Sequence, residues 1–163
     1  MQPRNWGRMG FPDIRSMLEQ QKNPDYSDKE WLALALYKEG VNSESDSYSF
    51  LSFYKVIELA FDDDEQKMNG WVNENINKFV SEEWLSKNQN AAAYLKDRER
   101  HAVAHVGKAG VLRHTGYSSV NPDDSSDLNR IRSSKSIVQR LAQDLIQQRY
   151  MQAKTVENKA ATK

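Results

Sequence analysis

Apolar residues recur along this chain at helical spacing, and they do so most densely in one place. Phe50, Leu51, Tyr54, Ile57 and Phe61 hold one face, and Phe53, Val56, Leu59 and Ala60 widen it until most sides are apolar. A helix of that kind lies at the centre of its domain, and we expect it over residues 48–62. Upstream, Ser27-Asp28-Lys29-Glu30 has the form of a capping box, with Ser27 as cap and Glu30 returning the bond. Trp31, Leu32, Leu34, Ala35 and Leu36 follow, and Gly40 is expected to end that helix. Asn42 to Ser47 read as an acidic, serine-rich loop. After the apolar stretch, the acids Asp62 to Glu65 suit a helix N-terminus. They predict a helix near 65–80 with Trp71, Val72, Ile76, Phe79 and Val80 on its buried side. A short piece follows at 82–85, then a long helix from about Asn88 to Val106, ended by Gly107. Lys108 to Ser125 read as a long loop. A last helix, near 126–150, is capped by Ser126 or Asp127 and turns Leu128, Ile131, Ile137, Val138, Leu141, Leu145 and Ile146 inward. One more helix, from Pro12 to about Gln21, precedes them all.

Sparse punctuation supports an all-α fold with no sheet: 163 residues contain 7 glycines and 4 prolines. Residues 1–46 are read as an N-terminal helical extension, 47–150 as a helical bundle, and 151–163 as a polar, disordered tail. There are 23 basic and 23 acidic residues, so a protein gripping a long phosphate backbone by bulk charge is disfavoured, although a local basic site is not. The absence of cysteine excludes disulfides and cysteine-ligated metal clusters. The opening residues carry no apolar run of a secretory signal, and no stretch reaches membrane-spanning length, so the expected location is cytoplasmic, with no membrane partner.

The chemistry-bearing stretch is Arg98-Glu99-Arg100-His101-Ala102-Val103-Ala104-His105. In an α-helix, His101 and His105 share one side, and the long side chain of Arg100 reaches the same region. Three readings compete. The residues form a solvated face with incidental histidines. Alternatively, histidines at this spacing hold zinc, although Ala102 stands where a zinc-protease helix has glutamate and a third ligand must come from His114 or a distant carboxylate. The third reading is that Arg100 to His105 resembles the signature of the HEPN superfamily: arginine, a polar residue (here His101), and histidine beyond a gap of four. The phrase Phe50 to Leu59 is similar to the first core helix of HEPN proteins of the methylamine-utilisation J-like and abortive-infection-like groups, and the resemblance covers roughly Ser47 to Gln148.

That resemblance implies a helical bundle with the motif on its penultimate core helix, and a metal-independent endoribonuclease that needs no cofactor. Arg100 and His105 would be catalytic, with His101 an orienting or second proton-transfer group. It also implies a homodimer whose two motifs face one cleft, single-stranded RNA as substrate, a possible antitoxin or regulatory domain as partner, and a setting in toxin function or antiviral defence. Gly107 stands where some members carry a tyrosine modified by a partner nucleotidyltransferase, so that control is not supported. Glu58 lies in an apolar run and needs a partner if buried. Arg100 or a motif histidine is one candidate, and local pairing with Lys55 or exposure to solvent is the other. In the loop, His114 and Tyr117 are weak candidates for base stacking. Lys108, Arg113, Arg130 and Arg132 are weak candidates for a phosphate-binding rim, and ordinary loop decoration and solvated surface charge are the favoured readings of these residues. Trp6, Trp31, Trp71 and Trp84 are dispersed and suit packing better than an aromatic platform. The other classes left open are a non-catalytic HEPN-like module that binds RNA or protein, and a purely structural helical domain.

Overall fold

A computed structural model of the chain describes residues 26–100 and 124–151. The helix expected at 12–21, the stretch from His101 through the long loop, and the polar tail lie outside those residues. All regular structure among the described residues is helical, so the chain is all-α.

Helix α1 (Asp28–Asn42) starts where the capping box places it. The Ser27 hydroxyl accepts from the Glu30 amide at 3.3 Å, and the Ser27 amide donates to Glu30 Oε2 at 2.6 Å. Gly40 does not end this helix. The helix continues to Asn42 and Ser43 caps it. Gly40 is instead buried against the next helix, where an added Cβ would lie 2.7 Å from Phe53 Cε1. Its glycine identity serves a close helix approach rather than a left-handed cap.

Helix α2 (Asp46–Ala60) begins earlier than the apolar pattern alone indicates. The Ser45 hydroxyl accepts from the Tyr48 amide, and the Ser43 hydroxyl accepts from the Ser45 amide. The serine-rich loop therefore contracts to residues 43–45. Phe50, Phe53, Val56 and Ile57 of α2 are wholly buried, as expected of a central helix. The helix ends in a tight turn with Asp62 and Asp63 at φ 53° and 59°, left-handed values that aspartate tolerates better than bulky residues do.

Asp64 caps α3 (Glu65–Asn75), which gives way to a single 3-10 turn, Ile76–Lys78, short of the expected end near residue 80. The Asn75 side chain donates to the Trp71 carbonyl at 2.8 Å, a local bond that competes with helix continuation. Ser81 caps the short α4 (Glu82–Lys87). Asn90 caps α5, which is α-helical over Ala91–Ala93 and π-wound over Tyr94–Arg100. The last helix, α6 (Ser125–Ile146), is capped by Asp124 rather than by Ser126 or Asp127. The Asp124 carboxylate accepts from both the amide and the hydroxyl of Ser126, at 2.8 and 2.7 Å. A π turn, Gln147–Met151, follows.

Two of the interhelical orientations follow from the polar contacts. Helices α1 and α2 are antiparallel: Glu39 meets Tyr48 near one end, and Lys29 meets Asp62 at the other. Helices α2 and α6 are parallel: Arg132 and Lys135 both engage Asp46 at the start of α2, and Arg149 donates to the Ala60 carbonyl at its end. One core joins these elements, with Ala33 and Tyr37 from α1, Met68 and Val72 from α3, Leu95 from α5, and Val138, Leu141 and Leu145 from α6. Three of the tryptophans pack as dispersed pairs: Trp31 on Tyr26, Trp71 on Phe61, Trp84 on Tyr94.

Candidate active site

The last turn of α2 is where the candidate chemistry gathers. A helix C-terminus carries the negative end of the macrodipole, and Glu58 adds a carboxylate only 14% exposed. That position requires cations, and α2 has none in its last turn. They come from elsewhere. Arg100, the last residue of the π-wound part of α5, brings its Nε to 3.1 Å from Glu58 Oε1. Lys55, one turn earlier on α2, brings its Nζ to 3.0 Å from Glu58 Oε2. This second oxygen is within ion-pair distance but has no donor aligned for a hydrogen bond. Both partners considered for Glu58, Arg100 and Lys55, therefore hold it together.

The Arg100 side chain is 26% exposed. The contact runs through Nε, one of the five guanidinium donors, and fixes the group against α2. Lys96, one turn earlier on the same segment, pairs with Glu65 at 2.5 Å and ties α5 to the start of α3. Arg149, from the π turn that follows α6, donates to the Ala60 carbonyl and lies 4.3 Å from the centre of the Phe61 ring. Two guanidinium groups thus serve the same helix end, one on a side chain and one on a backbone carbonyl. Nothing in the sequence pattern singled out Arg149, since a cation near the end of a last helix is ordinary. Its target, a carbonyl on another helix, has no sequence signature.

Of the residues proposed from sequence, Glu58 and Arg100 are brought together. His101, His105, Lys108, Arg113, His114 and Tyr117 lie outside the described residues. The expectation that His101 and His105 share a helix side assumed α winding at 100° per residue, whereas the described turns leading into them are π-wound. The two rim candidates within the described part are elsewhere: Arg130 pairs with Asp127 at 3.0 Å, and Arg132 with Asp46 at 3.1 Å. Among the described residues no group of three or more His, Cys, Asp or Glu is arranged to hold a metal ion, and no helix is long and apolar enough to cross a membrane.

Compared with known proteins, the chain matches a family model described as "Methylamine utilization protein MauJ" over residues 33–147. No curated protein and no solved structure matches it. The matched span runs from α1 to the end of α6 and contains Glu58, Arg100, His101 and His105. With well over half its length inside that match, the chain belongs to the methylamine utilization protein MauJ family.

Proposed function

We propose that this chain is a HEPN-type, metal-independent endoribonuclease that cleaves single-stranded RNA as a homodimer. The carrying observation is the Glu58–Arg100 pair: a largely buried carboxylate fixes the arginine that heads the Arg100-His101-Ala102-Val103-Ala104-His105 string. The family description speaks of methylamine utilisation and names no reaction, so the chemistry is argued from the residues.

RNA carries its own nucleophile. The 2′-hydroxyl attacks the adjacent phosphorus once a base takes its proton, and the bond to the 5′-oxygen breaks as an acid protonates that leaving group. The products are a 2′,3′-cyclic phosphate and a 5′-hydroxyl. His105 supplies proton transfer, since an imidazole with a pKa near 6.5 serves as base or acid at neutral pH. Arg100 stabilises the charge that grows on the phosphate oxygens. His101 orients the site or moves the second proton. Glu58 holds Arg100 in place without touching substrate. Two protomers provide the paired proton-transfer groups that the reaction benefits from, with a two-fold axis making the interface self-complementary. Toxin function or antiviral defence, under an antitoxin or regulatory domain, is the setting this reading implies.

The test is cleavage of single-stranded RNA by the purified chain. Arg100→Ala and His105→Ala are each expected to lower the rate by about a hundredfold or more while the helical circular-dichroism spectrum stays unchanged. His101→Ala is milder. Activity persists in EDTA and peaks near neutral pH. Light scattering should report a dimer. Full activity of His105→Ala removes the motif from the chemistry, and loss in EDTA with restoration by zinc assigns the histidines to a metal instead.

A second reading has one observation of its own. Arg100 already spends a donor on Glu58, as an arginine tying α5 to α2 in a non-catalytic RNA- or protein-binding module would. RNA binding without cleavage by wild type selects it.

A further inference from the structure

A second concave surface lies away from the last turn of α2. Between the segment from Phe79 to Trp84 and one face of α6 runs an open groove of about 440 Å³. This is within the size range of small-molecule sites, roughly 300–1,000 Å³. Its two walls differ in chemistry. Phe79, Val80 and Trp84 make one wall apolar and aromatic, and Arg132, Ser136 and Arg140 line the other. The last three recur every fourth residue of α6 and so form a single stripe.

The charge on that stripe is only partly neutralised. Arg140 makes no hydrogen bond or ion pair with any described residue. Arg132 gives its Nε to Asp46 at 3.1 Å, yet its side chain is still 65% exposed. Asp46 is shared with Lys135 at 2.5 Å, so one carboxylate answers two cations, and no described carboxylate answers Arg140. Of the acids beside the groove, Glu83 pairs with Lys87 and Asp144 with Lys78, while Glu82 is exposed and makes no ion pair with a described residue. Opposite, Trp84 stands edge-on to Tyr94, with ring centres 5.4 Å apart and planes at 83°, which fixes the orientation of the indole.

We propose that this groove binds a nucleotide, with the base against the Trp84 and Phe79 wall and the phosphate on Arg140, assisted by Arg132. A planar ring satisfies an aromatic wall. An anion with several acceptor oxygens satisfies a guanidinium whose donors meet no described residue. The inference is independent of the nuclease reading, because none of these residues belongs to the Glu58 and Arg100 cluster. The nucleotide has two sources with the same chemistry: a free mononucleotide, or the 5′-phosphorylated end of a strand.

Calorimetric titration of the full chain tests it, with AMP, adenosine, inorganic phosphate and a 5′-phosphorylated tetradeoxynucleotide, which lacks the 2′-hydroxyl needed for cleavage. AMP is expected to bind saturably, and adenosine and phosphate each more weakly. Arg140→Gln, at an exposed position, is expected to weaken AMP roughly tenfold with no change in thermal midpoint. Binding by the tetranucleotide but not AMP, still sensitive to Arg140→Gln, supports the same site and assigns it to strand ends. His105→Ala binds as wild type, which separates this site from the proposed cleavage centre. The proposal is overturned if neither AMP nor the tetranucleotide saturates at millimolar concentration, if adenosine equals AMP, or if Arg140→Gln binds both ligands unchanged.

Discussion

Glu58 occupies a place that disfavours a carboxylate twice over, once by burial and once by the negative end of its own helix. Lys55 and Arg100 together make the position tolerable. Glu58→Gln retains the size of the side chain and removes the charge that fixes Arg100. If Arg100 clamps phosphate, this variant should cleave RNA about tenfold more slowly through kcat, as expected when a positioning contact is lost. The pH optimum should stay where it is, because no histidine has changed. Stability should fall by about 1 kcal/mol, since the pair is neither fully buried nor fully exposed. A purely structural pair would lower stability and leave kcat unmoved. A need for partners was legible from the apolar run around Glu58. The sharing of one carboxylate between an i,i+3 neighbour and an arginine on a distant helix was not, because sequence spacing carries no information about which helices meet.

Gly40 shows the same limit for whole elements. A glycine after an amphipathic run reads as a stop, yet here it lies inside α1 where that helix presses on Phe53. Gly40→Ala should gain about 1 kcal/mol of helix propensity and lose more to overpacking, about 1–3 kcal/mol, since the Phe53 ring is itself 1% exposed. A lowered urea midpoint is the expected outcome, and a raised one would mean that α1 can shift away from α2. The Ser27 capping box, in contrast, was legible in full and formed as read. Ser27→Ala should cost about 1 kcal/mol, measured by the same denaturation. A capping box is decided within four residues and was legible here, although the Asp124 cap of α6 was not picked out from its neighbours; close approaches are decided between helices.

For the molecule as a whole, the parallel pair α2 and α6 is held at both ends, by Asp46 at one and Arg149 at the other. The hydrogen bond from Lys135 lowers the pKa of the Asp46 carboxyl below its ordinary value; burial opposes this, and Arg132 adds to the lowering. A depressed folded-state pKa means that this aspartate stabilises the protein above the ordinary aspartate value of about 3.9. That contribution is lost as pH falls through the depressed value. Asp46→Asn should therefore have a lower urea midpoint than wild type from pH 5 to 7, with the gap closing as the solution is acidified below about pH 3.9. A gap that stays constant down to pH 2 would assign the effect to packing instead.

The sequence by itself determined the all-α class, the central place of the Phe50 to Phe61 helix and the capping box at Ser27, because each rests on spacing or on bonds within a few residues. It also singled out the Arg100 to His105 string and Glu58 as a carboxylate that needs a partner if buried. Only the tertiary structure decided that Glu58 meets Arg100, that Gly40 is a contact point, that Arg149 reaches the end of α2, and that Arg140 faces an aromatic wall. Those features depend on which helices pack together and at what angle, and that is fixed by the whole core at once rather than by any local stretch of chain.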